Sequence, residues 1–128
     1  ESEIYDPKRF RIPLFFFGEV LKPEIRGKRI TKIGSQTDIA NTLFNQLGMA
    51  STQFNWSRDL LNSGTKDFAF FDWDNGFGTV IPGQTLSFDN TGKTVVFKKN
   101  PEINVHDEDL LRYGKAYMQQ VYQEYLDY

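Results

Sequence analysis

Apolar positions follow three rhythms along this chain. The first is continuous: residues 11–18 carry Leu14-Phe15-Phe16-Phe17 without a polar break and stop at Gly18. So short a run, lacking alternation, predicts a strand covered on both faces, as at the centre of a parallel sheet. Pro13 stands near its start, where a missing N–H is tolerated. Residues 18–27, bounded by Gly18 and Gly27 with Pro23 between them, read as a loop. Residues 28–33 alternate enough to predict a short, more exposed strand.

From Ser35 the rhythm turns helical. Ile39, Leu43 and Leu47 recur every four residues, and Ala40 and Phe44 widen that apolar face. Ser35-Gln36-Thr37-Asp38 approximates a capping box, with Asp38 in place of the usual Glu or Gln, and Gly48 supplies the stop. After Met49 the text is polar and punctuated, and Asn62-Ser63-Gly64 reads as a boundary. It separates residues 1–64, a strand–helix end of an α/β layer, from a second part at residues 65–128.

The second part has a different grammar. Four short β-rich runs, residues 68–73, 77–81, 84–89 and 93–99, are separated by Asp74-Asn75-Gly76, Pro82-Gly83 and Asn90-Thr91-Gly92. Such punctuation predicts an antiparallel meander. Aromatics on both faces of its first strand call for a covering element on the outer side. Residues 107–126 supply one, with Leu110, Gly114, Tyr117, Met118, Val121 and Tyr125 at helical spacing and acidic residues in the first turn. The fold class is therefore α+β: one strand–helix unit left from an α/β sheet, then a four-stranded antiparallel meander packed against a long C-terminal helix.

A central parallel-type strand needs neighbours joined by crossovers, and the first half offers none. Two readings stay open. The chain is the C-terminal portion of a larger α/β protein whose main sheet lies upstream, or the Phe run is an ordinary strand of the meander in a small α+β domain. In the first case the Phe15 strand presents a flat apolar edge and invites self-association.

Composition narrows the function classes. In 128 residues there are 15 Lys and Arg against 17 Asp and Glu, one His and no Cys. The small negative net charge gives no field to hold nucleic-acid phosphates, so no nucleic-acid partner is expected. Absence of Cys removes disulfides, thiol nucleophiles, iron–sulfur ligation and the common structural zinc sites. No apolar stretch approaches the length of a membrane span, so the chain itself is expected to be soluble. The opening Glu1-Ser2-Glu3 reads as neither a signal peptide nor an initiator Met, so the chain is expected to have been cut from something longer.

Few residues point to chemistry. Asp72-Trp73-Asp74-Asn75-Gly76 has alternating oxygen ligands like a calcium loop, but Phe77 stands where such a loop needs Gly and Gly83 where it needs Glu, so it reads as a hairpin turn. His106-Asp107-Glu108-Asp109 mixes an imidazole with carboxylates, yet at a helix start these residues diverge and serve the helix dipole. His106 as a general base has no partner nucleophile at a suggestive spacing. Trp56, Trp73, Tyr117, Tyr122, Tyr125 and Tyr128 could stack on sugars or bases, although packing is the simpler reading. Lys22, Arg26, Lys28, Arg29 and Lys32 form a modest basic cluster that reads as a solvated loop and edge.

Three segments carry a family resemblance: Ile12-Pro13-Leu14-Phe15-Phe16-Phe17-Gly18, then Gly27-Lys28-Arg29-Ile30, then residues 35–48 beginning Ser35-Gln36-Thr37-Asp38-Ile39-Ala40. In this order, continued by residues 54–62 and Phe68-Ala69-Phe70-Phe71, the text resembles the C-terminal end of the sulfatase family, within the alkaline phosphatase superfamily. The branch it is most similar to is the lipoteichoic-acid-synthase-like phosphoglycerol transferases. It departs at Asn41, where many sulfatases carry Pro. The resemblance covers roughly residues 10–90.

It implies a bacterial parent enzyme anchored by N-terminal transmembrane helices, with its catalytic domain periplasmic or extracellular. Such an enzyme attacks a phosphate or sulfate ester with a Thr, Ser or formylglycine nucleophile held on a divalent metal, Mn, Mg, Zn or Ca. Those residues lie upstream in the family, so no catalytic, cofactor-binding or metal-ligating position maps onto this chain, and the chain alone is expected to be inactive. Its implied partner is the upstream catalytic domain of the same polypeptide. The alternative is a self-contained glycan- or protein-binding module that uses exposed aromatics.

Overall fold

The structure is a computed structural model that describes residues 3–19, 21–102 and 105–128. Its chain divides into two compact units, Ile12–Asp67 and a second made of Glu1–Arg11 with Phe68–Tyr128. The fold is α+β.

In the larger unit four strands, β1 (Ala69–Trp73), β2 (Gly76–Ile81), β3 (Gln84–Asp89) and β4 (Thr94–Lys99), form one antiparallel sheet in chain order. The turn dipeptides set its register. Asp74-Asn75 brings Trp73 opposite Gly76, and Pro82-Gly83, with Gly83 at φ +71°, brings Ile81 opposite Gln84. Period-two alternation then sorts the side chains. Phe70, Phe77, Thr79, Leu86 and Phe88 share one face, while Phe71, Trp73, Gly78 and Ser87 share the other.

A 20-residue helix, α2 (Asp107–Leu126), covers the first face. Phe77, Leu86 and Phe88 meet Leu110 there, with Phe70, Ile81, Leu111 and Met118 around them. Tyr117 lies against Phe70 at 4.6 Å between ring centroids, which is the aromatic contact that β1 demanded. Gly114 is the point of closest approach. A Cβ there would lie 2.4 Å from the buried Phe77 ring and 2.8 Å from Thr79 Cγ2. Gln84, buried, ties down the approach to α2: its side-chain amide gives and takes a hydrogen bond with the Val105 backbone, both 2.8 Å. The second sheet face is covered by the N-terminal segment. Phe10, at the end of the 3₁₀ turn Pro7–Phe10, stacks on Phe71 at 4.3 Å, and the Ser87 hydroxyl donates to Tyr5 O at 2.9 Å.

The smaller unit contains α1 (Ile39–Gln46), entered through the 3₁₀ turn Gln36–Asp38. Gly48, at φ +67°, ends it as expected of a C-terminal stop. Two sequence expectations need correction. Residues 11–17 and 28–33 form no regular element and join no sheet among the described residues, and a strand exists only with a partner ladder. The Phe run is accordingly not a strand of the meander. The apolar face of α1 is not its most buried face either: Asp38, Thr42 and Gln46, four apart, are buried, whereas Ile39, Leu43 and Phe44 are half-covered and Leu47 is exposed.

Candidate functional site

The sequence assigns no catalytic or metal-ligating residue to this chain. The Ser35-Gln36-Thr37-Asp38 motif has a structural task. Asp38 is 0% exposed, and its carboxylate accepts from Ser35 N–H (2.8 Å), Arg58 N–H (2.9 Å), Arg58 Nε (2.9 Å) and an Arg58 terminal nitrogen (2.5 Å). One turn on, the Thr42 hydroxyl donates to Asp38 O and accepts from Leu60 N–H. Asn41 N–H donates to the Ser57 hydroxyl at 2.7 Å, and its side-chain amide donates to Ser57 O. Asn41 thus directs both its backbone N–H and its side-chain amide to Ser57. The polar face of α1 and the Ser57-Arg58 segment form one lock. A buried carboxylate saturated by four donors has nothing left for a substrate.

The acidic start of α2 is also engaged. Asp107 pairs with Lys98 and accepts from the Asn100 amide, and Asp109 pairs with Arg112 at 2.6 Å. The hydrogen bond from Lys98, opposed by partial burial and helped by Asn100, holds the Asp107 carboxyl below its usual range. His106 occupies the N-cap position. Among the described residues no three His, Asp or Glu side chains come together as metal ligands. The described residues do not make a site for the divalent metal that the family resemblance implies for a parent enzyme. Asp74 and Asn75 form the hairpin turn predicted for them.

The basic cluster is partly consumed by local structure. Arg26 donates from Nε to Leu21 O at 2.7 Å and from a terminal nitrogen to Glu19 O, and Lys32 reaches Asp67 at 3.8 Å. Trp56 and Trp73 are half-buried, Trp73 beside Phe71. Tyr117 packs, but Tyr122 and Tyr125 stay exposed, the latter at 78%.

Two surfaces remain without a covering partner inside their own unit. In the smaller one, Leu14, Phe15 and Phe17 are 44%, 77% and 89% exposed. In the larger one, a shallow groove of about 610 Å³ runs between α2 and the β3–β4 turn. Beneath it lie the buried Phe77 and Phe88 rings and the half-buried Leu111 and Met118, and its rim includes Asn90, Lys93, Lys115 and Tyr122. Lys115 Nζ stands 4.3 Å over the Phe88 ring, a cation–π contact.

The sequence reading passed over Asn90, Lys93 and Lys115. Lys115 does sit four residues after Leu111 and three before Met118, at the edge of the apolar stripe. That it lines the same groove as Lys93 depends on where the β3–β4 turn ends against the helix, which no local pattern encodes. Among the described residues no helix is long and apolar enough to cross a membrane. Comparison with known protein families, curated proteins and solved structures finds no match to this chain.

Proposed function

We propose that this chain is the non-catalytic C-terminal portion of a metal-dependent sulfatase or phosphoglycerol transferase that acts on phosphate or sulfate esters outside the cytoplasmic membrane. The observation that carries the reading is the run Leu14-Phe15-Phe16-Phe17, in which Leu14, Phe15 and Phe17 are exposed and which pairs with no strand among the described residues. A soluble protein does not leave such a run to water without a use for it. The half-covered apolar face of α1 supports the same reading, since a strand–helix unit at the edge of a larger sheet would bury both. The resemblance of the ordered segments from Ile12 to Phe71 to the sulfatase family is what motivates the choice of family, and the membrane anchor and divalent metal would belong to the proposed parent.

The test is the DNA upstream of the Glu1 codon. The expected reading frame continues through transmembrane helices, a Thr, Ser or Cys nucleophile and an Asp-His pair shortly before residue 10. A start codon directly before Glu1 overturns the proposal and leaves a self-contained binding module as the better account. Turnover of aryl sulfates or phosphodiesters by the 128-residue chain with added Mn, Mg or Zn would overturn its non-catalytic part.

A further inference from the structure

We propose that Asn75 is a self-modifying site, converting to isoaspartate and aspartate when the β1–β2 turn opens. The inference uses the sheet unit alone and is independent of any parent enzyme. Asn75-Gly76 is the one Asn-Gly pair of the sequence. Asn75 is exposed in the two-residue turn, and its side-chain amide makes no hydrogen bond among the described residues. Asn41, Asn45, Asn62, Asn90 and Asn100 instead hold their side chains in hydrogen bonds, and each precedes a residue bulkier than glycine. Gly76 is fixed by packing, because a Cβ there would lie 2.3 Å from Phe88 O and 2.3 Å from the Trp73 ring. The sheet therefore requires, next to an unheld amide, a backbone nitrogen that no side chain shields.

The chemistry needs only water. The Gly76 nitrogen bonds to Asn75 Cγ, its proton passes to the side-chain nitrogen, and ammonia leaves, closing a cyclic imide. Water then opens the ring at either carbonyl, giving aspartate or, with the chain rerouted through Cβ, isoaspartate. In the closed hairpin Gly76 is buried and stands opposite Trp73 in the ladder, which keeps its nitrogen from the attack. That pair is the last of the ladder, where local opening costs least. Neither turn residue has positive φ, since Lys93 is the one such non-glycine residue among those described, whereas the two-residue turns that match strand twist take positive values. The modification also reaches β3. Asn75 O accepts from Asn90 N–H at 2.7 Å, tying the turn to the residue after Asp89. In isoaspartate that carbonyl leaves the main chain and becomes a carboxylate, so the Asn90 amide meets a changed partner.

The experiment incubates the folded 128-residue chain at mildly alkaline pH, with peptide mapping that separates aspartate from isoaspartate and NMR of the backbone amides. The mass gain of an amide turned acid should appear at Asn75 before any other asparagine. It should accumulate faster in urea, where the turn no longer has to open. In the isoaspartate form the Asn90 amide should shift, while Thr42, in the other unit, keeps its position. Asn75→Ser, at an exposed turn position, should fold normally and show no gain there. Asn75→Asp supplies the charge without rerouting the chain, and its Asn90 amide should shift less than that of the isoaspartate form. The proposal is overturned by an earlier gain at another asparagine in the folded chain, by equal rates with and without urea, or by an Asn90 amide that isoaspartate leaves in place.

Discussion

Asp38 shows most plainly what one residue does here. Its carboxylate is fully buried and takes four hydrogen bonds, three of them from Arg58. Removing one partner of a buried ion pair strands the other, which costs about 3–5 kcal/mol. Asp38→Asn keeps the volume but turns two donors toward a guanidinium that has only donors. We expect that variant to lose about 3–5 kcal/mol of the smaller unit's stability, seen as faster amide hydrogen exchange at Thr42 and Leu60. Arg58→Lys should lose less, because an ammonium can still reach one carboxylate oxygen although it cannot match both. Unchanged exchange in Asp38→Asn would mean that the lock formed with the Ser57-Arg58 segment does not hold α1.

At the scale of elements, the decisive contact is the crossing of α2 over the sheet at Gly114. Replacing an exposed helical Gly by Ala stabilises by about 1 kcal/mol. Here the added methyl would enter the Phe77 ring at 2.4 Å, and that ring is fully buried, so it cannot swing aside. Gly114→Ala should therefore destabilise by about 1–3 kcal/mol, read from the urea midpoint at unchanged slope. A neutral result would show that α2 can lift off β2 without loss. The meander and α2 were legible from sequence because their signals are local: alternation, turn dipeptides and helical spacing sit within a few residues of each other. Gly114 was legible only as a member of the stripe, and its role as the contact point needs the partner ring. The runs at residues 11–17 and 28–33 were misread as strands since their composition specifies extended backbone, while a strand also requires a ladder that composition cannot supply. For α1, spacing located the apolar face correctly as a pattern. Burial instead went to Asp38, Thr42 and Gln46, because residues 57–60 offer hydrogen-bonding groups and the polar face satisfies them.

At the scale of the whole molecule, the question is what becomes of apolar surface that neither unit covers internally. The Leu14 to Phe17 run is exposed and joins no sheet among the described residues, so it combines backbone groups outside any ladder with large apolar side chains. Those two properties together make a pairing edge. A second copy of the chain can supply both a ladder and apolar cover when no upstream sheet is present. We expect the purified chain to shift toward dimers and larger species as its concentration rises in sedimentation velocity. The double variant Phe15→Lys, Phe17→Lys should remain monomeric over the same range, since charge on an edge strand opposes pairing. Both side chains are among the most exposed of the molecule, so the substitutions remove little buried area and should leave the urea midpoint nearly unchanged. A wild-type chain that stays monomeric at every concentration would show that the exposed run is tolerated in water, and the case for an upstream sheet would lose its physical motive. Association that persists in the double variant would instead place the sticky surface elsewhere, with the exposed Tyr122 and Tyr125 at the end of α2 as the next positions to substitute.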